Sequence, residues 1–95
     1  MGQADNLKNG ITWDQVSKQK FDQLIEKIPV FLRPLAQDKV SKRAEKIVKE
    51  SNRSVIEEKD MIDAFFIETP FGFHGPMKVD MESLGIDYMK YGHPR

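Results

Sequence analysis

The sequence predicts an all-α fold: a small three-helix domain (short helix, long helix, short helix), partly histone-like in its order, followed by an extended C-terminal arm. Three observations predict it. Apolar residues recur at helical spacing in three separate stretches, and capping residues and prolines punctuate those stretches where helices start and stop. Beyond Thr69 the helical period gives way to Pro70, Gly72, Gly75 and Pro76 set among aromatics.

Helix one is expected over Trp13 to Lys27. Thr12 is placed to cap it, Gln15 completes a capping box, and Ile11 and Val16 supply a hydrophobic staple. Trp13, Val16, Phe21, Leu24, Ile25 and Ile28 then fall along one stripe. Pro29 stops the helix, because the residue before a proline is pushed out of helical geometry.

Helix two follows with Pro34 in its first turn, the only helical position where a proline costs no backbone bond. Leu32, Ala36, Val40, Ala44, Ile47 and Val48 form its apolar stripe, and Lys39, Lys42, Arg43, Lys46 and Lys49 form a basic outer face. Ser51-Asn52-Arg53 reads as a turn and Val55-Ile56 as a bridge of extended chain.

Helix three is expected from near Glu57, with the Asp60 carboxylate meeting first-turn amides and Ile56 and Met61 forming a second staple. Met61, Ile62, Ala64, Phe65, Phe66 and Ile67 make it apolar nearly all round. Such a helix is either wrapped by the tail or meets another chain.

These readings divide the chain into a flexible N-terminal arm (1–11), a three-helix domain (12–68) and an irregular C-terminal arm (69–95). Within the last, one short helical turn is expected around Met81 to Leu84, capped by Asp80 and ended by Gly85. The arm still carries Phe71, Phe73, Met77, Met81, Tyr88 and Tyr91, and linkers are polar. It is therefore expected to lie against something.

Composition bounds the function. The 95 residues suffice for one modest core, and 39% hydrophobic with 32% charged residues is a globular balance that argues against global disorder. The chain has no cysteine, so disulfides, thiolate metal sites, iron–sulfur ligation and cysteine nucleophiles are excluded. No stretch reaches the roughly 20 apolar residues that cross a bilayer, and residues 1–10 hold no apolar run of the secretory kind. A cytoplasmic location is the expectation. Net charge is zero, yet residues 31–53 hold seven basic against three acidic groups, and the stretch from Ser54 onward holds four against eight. One half can attract the other, or each a partner.

The run Trp13, Phe21, Leu24, Lys27-Ile28-Pro29-Val30-Phe31-Leu32-Arg33, then Val40, Ala44 and Ser54-Val55-Ile56-Glu57-Glu58-Lys59-Asp60-Met61, resembles the C-terminal helical domain of the light-independent protochlorophyllide reductase B subunit, which also occurs as short free-standing proteins. The family motif rests on Trp13, Ile28, Pro29, Phe31 and Arg33; Val30 stands where an aromatic is usual, and Glu57 where a capping Thr is. The likeness covers about residues 12 to 67. It implies association with a redox or tetrapyrrole-handling assembly, with proximity to a tetrapyrrole or an iron–sulfur partner. It does not imply reductase activity here, because the clusters of the full enzyme are ligated largely by cysteine.

Among candidate sites, Ile28 to Arg33 is read as a stiff corner with Phe31 and Leu32 in the core and Arg33 paired to a carboxylate, in preference to a docking edge. The basic face Lys39, Lys42, Arg43, Lys46 and Lys49 is read as solvated, with contact to nucleic acid as the alternative, against which the zero net charge weighs. His74, three residues before Met77, is a weak candidate for a haem or chlorin metal ligand. Glu57, Glu58, Asp60 and Asp63 are read as capping groups, and no nucleophile–base–orienter set is present. The expected function is that of a non-catalytic accessory subunit without a cofactor of its own. It would dock onto a larger redox or cofactor-handling protein through helix three and the arm, with Phe65, Phe66, Phe71, Phe73, Met77, Met81, Tyr88 and Tyr91 as anchors. The alternative is a histone-like nucleic-acid binder.

Overall fold

The computed structural model describes residues 10–95. Among them it forms four α-helices, α1 (Gln15–Glu26), α2 (Arg33–Glu50), α3 (Glu58–Glu68) and α4 (His74–Ser83), and two minimal strands, β1 (Thr12–Trp13) and β2 (Val55–Ile56). Three 3-10 turns, Val30–Leu32, Phe71–Phe73 and Met89–Tyr91, fill the connections. Most of the arm expected over residues 1–11 lies outside the described residues; Ile11, its last member, belongs to the core.

The first helix begins later than its apolar period implies. Thr12 and Trp13 pair in parallel with Val55 and Ile56, and this ladder continues through Thr12 N–H to Ser54 O and Asp14 N–H to Ile56 O, both 2.9 Å. With that backbone committed to a strand, the cap falls to Asp14, whose carboxylate accepts from the Ser17 amide at 3.0 Å and the Ser17 hydroxyl at 2.8 Å. These bonds, the backbone one first, hold the Asp14 carboxyl below its ordinary pKa. The expected Thr12 box and the Ile11–Val16 staple are therefore not formed, and Val16 faces solvent.

The second and third helices follow the sequence closely. Pro34 lies in the first turn of α2. Asn52, at a left-handed φ of 57°, closes α2: the Arg53 amide donates to Val48 O and the Asn52 amide to Lys49 O, both at 3.0 Å. Glu57 caps α3, and its own amide donates to the Asp60 carboxylate at 2.9 Å. That carboxylate, 3% exposed, also takes both arms of the Arg53 guanidinium at 3.0 and 2.6 Å. A buried charge is tolerated here because every neighbour donates to it.

α2 runs antiparallel to α3, tied by Arg53 to Asp60 at one end and by Arg43 Nε to Glu68 Oε2 (2.7 Å) towards the other. Their interface is the most extensive between elements, and Ala44 and Ala64 are fully buried within the core. α1 lies along α3 through the Phe21–Phe65 ring pair and the Lys20–Glu58 ion pair.

Residues 69–95 are not an irregular arm. His74–Ser83 is a ten-residue helix in which Pro76 occupies the first turn, where it is tolerated as Pro34 is in α2. The glycines and prolines that read as a breaker lie in the preceding turn and first turn of this helix. Asp80 sits inside it and does not cap it. Gly85 ends it as expected, at φ 72°, with the Ile86 amide donating to Met81 O at 2.9 Å. Met77, Met81, Ile86 and Tyr88 join Ile62, Phe65 and Phe21 in one hydrophobic core. The apolar set of α3 other than Ile67 is thus covered within the chain, in part by the tail.

Candidate functional site

The eight anchors expected to meet a partner separate into three groups. Phe65, Met77, Met81 and Tyr88 are buried in the core and are not available to another molecule. Phe66 and Tyr91 are half-buried and packed against that core. Phe71 and Phe73, at 87% and 64% exposed, stand in water on the turn after α3, with Ile67 exposed one helical turn earlier. Both lie on the 3-10 turn between α3 and α4, none of whose residues is buried.

A second apolar turn was misplaced by the sequence. Phe31 and Val30 are 79% and 68% exposed, and Leu32 and Leu35 are also open to solvent. Among the described residues Arg33 pairs with no carboxylate. Its Nε donates to Ile28 O and its terminal nitrogen to Glu26 O, both at 2.8 Å, so that the guanidinium caps the C-terminus of α1. Arg33 ties the corner to the end of α1, but the corner presents Phe31 and Leu32 to solvent where a core position is expected. The signal was available: Val30-Phe31-Leu32 lies between Pro29 and Pro34, a span too short to fold back, and Leu35 falls in register with the lysines and not with Ala36 and Val40.

The other motif residues are structural. Trp13 packs on Phe21 with ring centroids 4.8 Å apart, and Ile28 is partly buried against the core. Pro29 is exposed and caps the 3-10 turn.

Of the basic set, Lys39, Lys42, Lys46 and Lys49 are exposed, while Arg43 is drawn down to Glu68. Lys39, Lys42, Arg43 and Lys46 line an open depression of about 310 Å³ together with Asp38 and Glu68.

His74 lies within 2.9 Å of Thr69 O and 3.1 Å of Phe66 O through Nε2. Two carbonyl acceptors fix that nitrogen as a donor, so it holds the end of α3 and leaves Nδ1 as the ring nitrogen outside these bonds. Met77, its expected companion, is buried in the core. Among the described residues no group of three or more His, Asp or Glu side chains is arranged to hold a metal ion. No helix among them is long and apolar enough to cross a membrane.

The last ten residues form a strap that the sequence did not reveal. Tyr88 donates its phenol to Glu82, Tyr91 donates to Glu58 at 3.0 Å, and His93 Nε2 lies 2.6 Å from Asp63. The Tyr88 hydrogen bond holds the Glu82 carboxyl below its ordinary pKa, and the same bond pushes Tyr88 up. Burial alone would raise Glu58, but hydrogen bonds from Lys20 and Tyr91 outweigh it and bring the carboxyl down. Burial, then the bond to Glu58, raises Tyr91. The same hydrogen bonds tie the strap to α3 and α4.

A family model described as "Protein of unknown function (DUF2621)" matches residues 6–94, so the match runs through α4 and the strap as well as the first three helices. No curated protein and no solved structure matches the chain.

Proposed function

The chain belongs to the DUF2621 family of proteins of unknown function, and we propose that it is a non-catalytic docking subunit that attaches to a larger protein through Phe71 and Phe73, with Ile67 beside them. One observation carries this reading. A chain that buries Met77, Met81, Ile86 and Tyr88 from its tail leaves two neighbouring phenylalanines in water, on a turn whose ends are fixed by α3 and by His74. Large aromatics on a pre-organised turn are the usual anchors of protein interfaces. The resemblance of residues 12–67 to the reductase-subunit domain supports a redox or cofactor-handling assembly as the kind of partner, with any tetrapyrrole or iron–sulfur group held by that partner.

The test compares the intact protein with Phe71→Ser/Phe73→Ser as bait for native assemblies, read by mass and by absorbance spectrum. A stoichiometric partner kept by the first and lost by the second, at unchanged circular dichroism, is the expected result. Equal capture by both removes these phenylalanines from the interface. An assembly without visible cofactor absorbance would remove the redox part of the reading alone.

A further inference from the structure

The turn before α2 differs from the turn after α3 in what lies beside it. Leu35 is followed by Lys39, Lys42, Lys46 and Lys49 at steps of four, three, four and three residues, which places all five on one helical face. All five are exposed, opposite the buried stripe of Val40, Ala44 and Val48. Phe31 and Leu32 extend the apolar end of this face, and Arg33 locks their turn onto the carbonyls of α1. A rigid apolar tip therefore leads directly into a ladder of lysines.

We propose that this face docks the protein onto an anionic lipid surface, with Phe31, Leu32 and Leu35 entering the headgroup–acyl boundary and the lysines of α2 meeting lipid phosphates. The order of chemistries along the face matches that of a leaflet. Phe31, Leu35 and Leu32, exposed at 79%, 55% and 40%, gain by leaving water, and lysine stems reach from the tip to the phosphate layer. Lys42 is no obstacle: its 3.2 Å contact with Asp38 joins two exposed groups and holds little in water. A nucleic acid would engage the same lysines but leave the adjoining tip in water. An acidic protein would need a cleft shaped to the tip, whereas the bilayer boundary accepts any protruding apolar group. This inference is independent of the docking role of Phe71 and Phe73.

Co-sedimentation of the full chain with vesicles of phosphatidylcholine alone, and of phosphatidylcholine mixed with phosphatidylglycerol, tests it. The mixed vesicles should retain the protein, the neutral ones should not, and retention should fall as salt rises towards ~1 M, where charges are screened within about 3 Å. Lys39→Gln/Lys42→Gln/Lys46→Gln should lower partitioning by roughly a hundredfold, from about fivefold for each lysine. Phe31→Ser/Leu35→Ser should lower it about tenfold while keeping the salt dependence. Both sets replace exposed side chains, and the selectivity of the unmodified protein decides the matter even without them. Equal retention on the two vesicles, retention on neither, or a lysine-dependent binding of duplex DNA without vesicle binding would each overturn the proposal.

Discussion

The imidazole of His93 lies parallel to the ring of Phe66, their centroids 4.1 Å apart and their planes within 2°. The same Phe66 ring meets His74 edge-on at 5.1 Å and Tyr88 at 5.8 Å, so one half-buried aromatic on α3 gathers both histidines and the strap. Removing the outermost partner tests how firmly the strap is held. His93→Ala deletes the stack and the Asp63 contact and should cost about 1 kcal/mol in urea denaturation, with faster amide exchange confined to the last residues. A variant as stable as the parent would make the strap an ornament of the surface.

The tail is part of the core, and Met81 measures this. It is fully buried from α4 among side chains of the first three helices, so Met81→Ala should destabilise the whole domain by about 3 kcal/mol. Trp13 fluorescence and far-ultraviolet circular dichroism should report one coincident transition. Separate transitions would mean that residues 69–95 fold apart from the rest.

Asp60 serves two partners at once, the Glu57 amide and the Arg53 guanidinium. Asp60→Ala should cost about 2 kcal/mol, losing the box and the charged pair together. Arg53→Ala should also destabilise, because it leaves the Asp60 carboxylate buried without its counter-charge. Urea denaturation of both, with the double variant, closes the cycle; additive losses would show that the Arg53–Asp60 pair contributes no coupling to stability.

Stability should show a plateau in pH bounded by the strap. Glu58 and Glu82 have carboxyl pKa values depressed in the fold, so their contribution is complete above their ordinary value of 4.5 and disappears as pH falls through the folded values. Tyr88 and Tyr91 are raised, so theirs is complete below their ordinary value of 10.0 and disappears as pH rises through the folded values. Thermal melting across pH checks this, and Tyr91→Phe should flatten part of the alkaline limb. An unchanged limb would show that burial and the bond to Glu58 do not raise Tyr91 in solution.

Phe31 and Phe71 give the opposite kind of prediction. Each is so exposed that Phe31→Ser or Phe71→Ser should change folding stability by no more than about 0.5 kcal/mol. A loss of several times that amount in thermal melting would show that these side chains are covered in solution.

The sequence predicted most firmly what local chemistry controls. Pro34, Asp60, Asn52 and Gly85 each signal a helix end through their own backbone preference or carboxylate, and each ends or begins a helix as read. What it misjudged depends in part on neighbours distant in the chain and in part on residue types that suit two local structures. Thr12 is the better-placed box residue until Val55 and Ile56 claim its backbone. Phe31 fits a core pattern until Arg33 caps α1 and turns it outward. The residues from Pro70 to Pro76 look like a breaker because the same types suit a loop and the first turn of a helix. Tyr91–Glu58 and His93–Asp63 leave no periodic trace at all, since neither partner's spacing implies the other.

The parallel pairing of Thr12–Trp13 with Val55–Ile56 also sets an order of assembly. On a ribosome the amino-terminal helix emerges early, yet the segment that anchors it is still unmade or inside the exit tunnel. The antiparallel α2–α3 hairpin, whose helices follow one another in the chain, can close first and offer the edge on which β1 and α1 settle. Changes at Trp13 should accordingly hasten unfolding and leave the refolding rate nearly untouched.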